Sequence, residues 1–193
     1  MKKLLVLSAA VALTVAVNAQ SDVAAATIEK PAFKHEASVN NKEKKEVKKK
    51  LRKLEGKEVS YQSKNEFNVD FGNMPVSKWE RIENFDKATF TKDGKEISAY
   101  YDYDAKLVGT TMHKTFADLP ATSQKTINEK YPGYSKVDVV LFDDNEVNET
   151  DMVLYGTQFD DVDSYFVELK KDNKTIILQV SMSGAVSFYE QLK

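Results

Sequence analysis

Between residues 59 and 192 the apolar positions fall into two kinds of run that follow one another twice. Phe67 and Phe71 stand four apart in a polar stretch, and Ile127 and Tyr131 stand four apart in another. That spacing puts each pair on one face of a helix. Both helices end at breakers, Gly72-Asn73 in the first and Pro132-Gly133 in the second. The runs that follow alternate with period 2. Ala88 and Phe90 lead into Asp93-Gly94, Ile97, Ala99 and Tyr101 return, and Asp104-Ala105 turns into Leu107-Val108. Later, Tyr165, Val167 and Leu169 lead into Asp172-Asn173, then Ile176, Leu178 and Val180 return toward Ser183-Gly184. The pattern predicts helix, strand, hairpin and strand, written twice.

The two copies align residue by residue. Val59 matches Leu119, Ser63 matches Ser123, Phe67 matches Ile127 and Trp79 matches Val139, all at an offset of sixty. By the hairpins, Lys92-Asp93-Gly94-Lys95 against Lys171-Asp172-Asn173-Lys174, the offset has grown to 79, so the second copy carries about 19 extra residues. The expected fold is α+β, tandem helix–antiparallel-strand repeats over 59–118 and 119–193, with an insertion at 142–161. Strict alternation predicts antiparallel sheet with one face buried beneath both helices. Phe67 and Ile127 are then equivalent core anchors.

The run Ala99-Tyr100-Tyr101-Asp102-Tyr103-Asp104-Ala105-Lys106-Leu107-Val108-Gly109, with Phe116-Ala117-Asp118-Leu119-Pro120 and Tyr131-Pro132-Gly133-Tyr134, carries a family resemblance. It resembles the PepSY-like, β-lactamase-inhibitor-protein-like family of exported Bacteroidetes-type proteins, over roughly Val59 to Leu192. The resemblance implies a β-lactamase-inhibitor-like tandem of helix-plus-four-strand units, periplasmic or secreted. Some relatives are described as calcium-regulated, and the resemblance supplies no catalytic residues.

The N-terminus sharpens the expected location. Lys2 and Lys3 precede a 14-residue apolar and small stretch, Leu4 to Val17, and Val17-Asn18-Ala19 offers small residues for cleavage before Gln20. The stretch is shorter than the roughly 20 residues that span a bilayer. Residues 1–19 therefore read as a signal peptide, with a flexible leader over 20–39. Asn40 and Glu43 form a capping-box pattern, Val47, Leu51 and Leu54 a narrow stripe, and Gly56 a stop, predicting a basic amphipathic helix over 40–56.

Charge divides the chain. Nine basic and three acidic residues lie between Lys42 and Lys57, whereas Val137 to Leu169 holds ten carboxylates and no Lys or Arg. A basic block could bind nucleic acid, but an export signal argues against that partner, so the block reads as a solvated helix face. There is no cysteine, which excludes disulfides, zinc–thiolate sites and cysteine nucleophiles.

Catalytic motifs are missing too. The chain has no Gly-x-Ser-x-Gly, His-Glu-x-x-His or phosphate loop, and its two histidines, His35 and His113, read as surface residues. The expected protein is not an enzyme and carries no cofactor. Clustered carboxylates in the insertion, Asp143, Asp144, Glu146, Asp151, Asp160, Asp161 and Asp163, make up the candidate metal site. Calcium takes six to eight oxygens and suits such loops, though the spacing matches no standard cation loop. The favoured reading of the segment is a solvated acidic loop that keeps the protein soluble, with cation binding as the functional alternative. Tyr100, Tyr101 and Tyr103 alternate along one strand, so at least one should face outward, where tyrosine suits protein recognition. The function expected is a non-catalytic binding module of the bacterial envelope with a protein or peptide partner. It would use the open sheet face or the groove between repeats. The alternative is a calcium-responsive periplasmic protein.

Overall fold

The first helix, α1 (Tyr61–Phe71), begins where Ser60 adopts extended backbone and its Oγ accepts the Ser63 N–H at 3.0 Å. That side chain satisfies one of the helix's orphan donors. The helix ends at Gly72, whose φ of 72° is readily adopted only without a Cβ. The second, α2 (Ala121–Lys130), starts after Pro120, whose carbonyl accepts the Ser123 Oγ–H at 2.7 Å. A computed structural model describes residues 54, 56–82 and 84–192 of the chain. They fall within one unit, 48–193. The expected signal peptide 1–19, leader 20–39 and most of the basic helix 40–56 lie outside the described residues.

Each helix precedes four long antiparallel strands. After α1 come β1 (Val76–Ile82), β2 (Phe85–Lys92), β3 (Lys95–Tyr101) and β4 (Leu107–Lys114). After α2 come β5 (Ser135–Asp144), then the short pair β6 (Met152–Leu154) and β7 (Thr157–Phe159), then β8 (Ser164–Lys171), β9 (Lys174–Ser181) and β10 (Val186–Leu192). The long strands make one eight-stranded sheet, ordered β1-β2-β3-β4-β5-β8-β9-β10. The two repeats join where β4 pairs with β5, Thr111 opposite Phe142 and His113 opposite Val140. The duplicated α+β architecture expected from the sequence is the one observed.

One face of the sheet carries two cores. Phe67 of α1 is 1% exposed and packs with Ala88, Phe90, Ala99 and Tyr101. Its ring meets Phe90 and Trp79 edge-on, at 5.0 and 5.6 Å between centroids. Ile127 of α2 is fully buried among Val139, Val167, Leu169 and Leu178. Phe67 and Ile127 are thus the equivalent anchors that the sixty-residue offset predicts.

The opposite face departs from expectation. Strict alternation predicted a single buried face, yet Phe85, Tyr100, Val108, Phe142, Phe166 and Ile177 form a third core. The hairpin β6–β7 covers it. Phe159 of the hairpin lies 5.1 Å from Phe142 and 4.8 Å from Phe166, and Met152 is fully buried. The insertion expected as an acidic solvated loop therefore contributes an apolar cap as well as carboxylates. Burial of these large side chains outweighs the acidic flanks, since each is worth about 1.5–3 kcal/mol.

The hairpin is tied down at its base and tip. Tyr189 Oη donates to the Leu154 carbonyl at 3.1 Å and also bonds the Thr157 carbonyl, and Thr157 Oγ1 donates to Glu190 at 2.8 Å. On the approach to β6, Asn148 and Thr150 donate to the buried Asp102 carboxylate at 3.2 and 3.3 Å. Asp102 also accepts the Asp104 and Lys106 N–H groups, at 2.8 and 3.0 Å, so it holds the β3–β4 turn and the insertion together.

Candidate functional site

Three concavities carry the chemistry of the described residues. The first is a groove of about 460 Å³ along the seam of β3, β4 and β5, on the helix-bearing face. Its floor includes Ile97, Leu107 and Met112, all half-buried, and Phe71 of α1 closes one side. Lys92 and Lys95 of the β2–β3 turn stand at one end, and the exposed Asp143 at the other. The groove exists because each helix covers only its own repeat.

The second concavity, about 200 Å³, lies on the opposite face beside the hairpin tip. Leu154, Tyr155 and Val140 line one side, and Lys87, Ser98, Thr111 and His113 are among the others. Four hydroxyls sit beneath it. Thr89 Oγ1 is 3.3 Å from Ser98 Oγ, and Tyr100 Oη is 3.1 Å from Thr111 Oγ1. Tyr155 sits at φ 53° in the tight β6–β7 turn with Gly156. Burial, then the Asp138, Glu168 and Tyr100 charges, push its hydroxyl up to about 12, so it is neutral at physiological pH. His113 Nδ1 lies 2.9 Å from Asp138 Oδ1, and the ring is 66% exposed. The expectation of a surface histidine is met, with a carboxylate partner that the sequence did not reveal.

The third concavity, about 510 Å³, is acidic. Asp144, Glu146, Asp161 and Asp163 line it with Ser181 and Ser183. The Asp144 N–H donates to Asp163 Oδ1 at 2.8 Å, while Asp144 Oδ1 is buried without a hydrogen-bond partner. Burial first, then Asp161 and Asp163, push the Asp144 carboxyl up to about 6. Asp161 is raised by burial, with Asp151 and Asp160 adding to it, and Asp143 is raised by burial and by Asp163.

The seven carboxylates expected to act together are thus split. Asp143 turns to the groove on the helix-bearing face. Asp151 is buried and accepts the Gln158 Nε2–H at 2.6 Å, which makes it a strut of the hairpin. The exposed Asp160 uses its backbone carbonyl to accept the Val162 N–H at 2.8 Å. Among the described residues no group of three or more histidines or carboxylates is placed to hold a metal ion.

The tyrosines also sort differently from the alternation argument. Tyr100 and Tyr101 do face opposite ways, but both are buried, at 6% and 0% exposure. Tyr101 Oη donates to Asp70 of α1 at 3.0 Å, and burial with that carboxylate holds its hydroxyl far above the usual range. Tyr103 lies past the end of β3, in the turn, and is exposed. Tyr155 also lines a cleft, and period-2 reasoning missed it because it sits in a turn.

The architecture is a tandem helix-plus-four-strand α+β fold with one continuous antiparallel sheet. Solved structures share it. A BLIP-like protein from Bacteroides fragilis is 19% identical, with a TM-score of 0.53 over 70% of this chain and 87% of that one. A DUF2874 family protein from Bacteroides uniformis is 13% identical, with a TM-score of 0.54 over 67% and 86%. A Bacteroides eggerthii protein whose name proposes a periplasmic location is 12% identical, with a TM-score of 0.54 over 70% and 88%. No family model matches the chain, and no curated protein matches it. At these identities the likeness is one of fold.

Proposed function

We propose that this chain is a non-catalytic binding module of the bacterial cell envelope that takes a peptide segment of a partner protein in the β3–β4–β5 groove. The observation that carries the reading is the half-buried apolar strip Ile97, Leu107 and Met112, bounded by Lys92 and Lys95 at one end and Asp143 at the other. Apolar floors with polar rims favour protein association. Opposite charges at the two ends would set the direction of a bound segment. The fold shared with a BLIP-like protein supports a binding role, and the N-terminal pattern of Lys2, Lys3 and Leu4–Val17 supports export. No helix among the described residues is long and apolar enough to cross a membrane. The resemblance to the PepSY-like family comes from the runs at 99–109, 116–120 and 131–134.

The test is site-specific photo-crosslinking in an envelope extract. A crosslinker at Thr110, in the groove, should trap a discrete partner that one at Lys130, on the exposed side of α2, does not. Identical adduct patterns at the two positions would sink the reading.

A calcium-responsive role is the second reading. Asp144 favours it, since a buried oxygen without a partner is what a cation would satisfy. Dispersal of the other carboxylates weighs against it.

A further inference from the structure

We propose that the cleft at the hairpin tip binds a single neutral sugar ring. Thr89 with Ser98, and Tyr100 with Thr111, form two bonded pairs of hydroxyls side by side, all four nearly buried. Each hydroxyl has one hydrogen to give and two lone pairs. The two bonds consume two of the four hydrogens and two of the eight lone pairs, which leaves six lone pairs against two hydrogens. The floor therefore accepts more than it donates.

The rim supplies what the floor lacks. Lys87 lines the cleft, and its ammonium is held only loosely, 3.7 Å from Glu80, so it keeps hydrogens to donate. Tyr155 keeps its phenolic hydrogen. A carboxylate can only accept, so His113 Nδ1 carries the hydrogen toward Asp138 when the ring is neutral, which leaves Nε2 as an acceptor. Glu96 adds a second acceptor. Leu154, Val140 and the Tyr155 ring form the apolar wall.

Chemistry then eliminates most occupants. With Lys87 and Glu96 both in the lining, a ligand of either charge meets a like charge as well as an opposite one, so the cleft favours neither sign. An apolar one strips the hydroxyls of water and returns no hydrogen bond, which is costly. The group that suits such a lining gives and takes hydrogen bonds at every position and carries one apolar face. A pyranose does both, and a 200 Å³ cleft has room for about one ring. The site lies on the face opposite the peptide groove, so it stands or falls separately.

The experiment is an NMR titration of the full mature chain with methyl α-glucopyranoside and methyl α-galactopyranoside. Succinate and butylamine serve as charged controls. Saturable shifts at Ser98, Thr111 and Tyr155, with a millimolar Kd for at least one sugar, are expected. Ser98→Ala should weaken that binding roughly tenfold by deleting one link of the floor. Tyr155→Phe keeps the ring that packs on Phe166 but should weaken binding as well. A thermal melt confirms that each variant is folded. The proposal is overturned if neither sugar gives saturable shifts in the cleft. It is also overturned if succinate or butylamine binds there more tightly than the sugars, or if both variants bind as the parent does.

Discussion

Asp86 is fully buried in β2 and receives both Arg81 Nε, at 2.7 Å, and Arg81 Nη2, at 2.9 Å. The same carboxylate accepts the Ser60 N–H and the Ser63 Oγ–H, each at 2.9 Å, where α1 begins. Burial alone would raise its pKa, but the Arg81 fork, the Ser60 amide and the Ser63 hydroxyl outweigh that and hold it below the usual range. One residue therefore fastens the helix start to the sheet. In the second repeat the matching Ser123 hydroxyl donates locally to the Pro120 carbonyl instead, and no side chain caps α2.

Asp86→Ala should cost about 3–5 kcal/mol, because it strands the guanidinium and two donors at once. Replacing the pair together, Arg81→Met with Asp86→Leu, should cost less than Asp86→Ala alone. Denaturant melts of the two variants decide this. The pH dependence has a fixed sign. A depressed carboxylate stabilises the fold above its unfolded pKa, and that stabilisation is lost as pH falls below about 4. Asp86→Ala should flatten the acid limb of the stability curve.

Phe67→Ala and Ile127→Ala should each cost about 2–5 kcal/mol, the range for large buried apolar side chains. Both anchors are at most 1% exposed, so neither cavity can open to solvent cheaply. If either variant melts like the parent, its helix does not hold its half of the sheet.

Gly109 pairs across β4 and β5 opposite Asp144. A Cβ there would lie 2.6 Å from the Asp143 carbonyl and 2.7 Å from the Phe142 ring. Gly109→Ala should therefore force the seam between the repeats apart, at a cost of about 1–3 kcal/mol. Hydrogen exchange should quicken along β4 and β5 before it does along β9. Unchanged protection at Thr111 and Phe142 would show that the close approach is not structural.

The duplicated fold was legible because its signals are local. Phe67 with Phe71, Ile127 with Tyr131 and the Asp93-Gly94 turn each state their element within a few residues. The second covered face was not. Met152 and Phe159 sit seven apart in an acidic stretch, and only the β6–β7 turn at Tyr155-Gly156 brings them onto Phe142 and Phe166. Acidic composition masked that sparse apolar pattern. The candidate sites were less legible still, since the cleft joins residues from β2, β3, β4 and the hairpin. Asp144, Asp161 and Asp163 share one concavity, Asp143 and Asp144 both line the helix-face groove, and Asp151 is bound by Gln158, which neighbouring positions along the chain could not separate.

Asp144 provides the sharpest test of the acidic rim. Its carboxyl is raised from an ordinary 3.8 to about 6 by burial and by Asp161 and Asp163, so ionisation at neutral pH opposes folding. A raised carboxylate contributes stability that is full below the unfolded pKa and lost as pH rises through the folded one. The unscreened figure is about 3 kcal/mol at 1.36 kcal/mol per pKa unit, and solvent access at this half-buried position reduces it to about 1 kcal/mol. Asp144→Asn should therefore raise the melting temperature at pH 7.5 and leave it nearly unchanged at pH 4. Calcium offers a second relief of the same repulsion. If it binds, a hundredfold excess over Kd should add about 2.7 kcal/mol to the parent. Sodium at matched ionic strength would give only graded screening. Replacing Asp144, Asp161 and Asp163 by Asn should remove the calcium-specific increment and keep the sodium response. Equal melts in calcium and sodium for the parent would end the cation reading and leave Asp144 as an electrostatic burden that the hairpin's apolar core offsets.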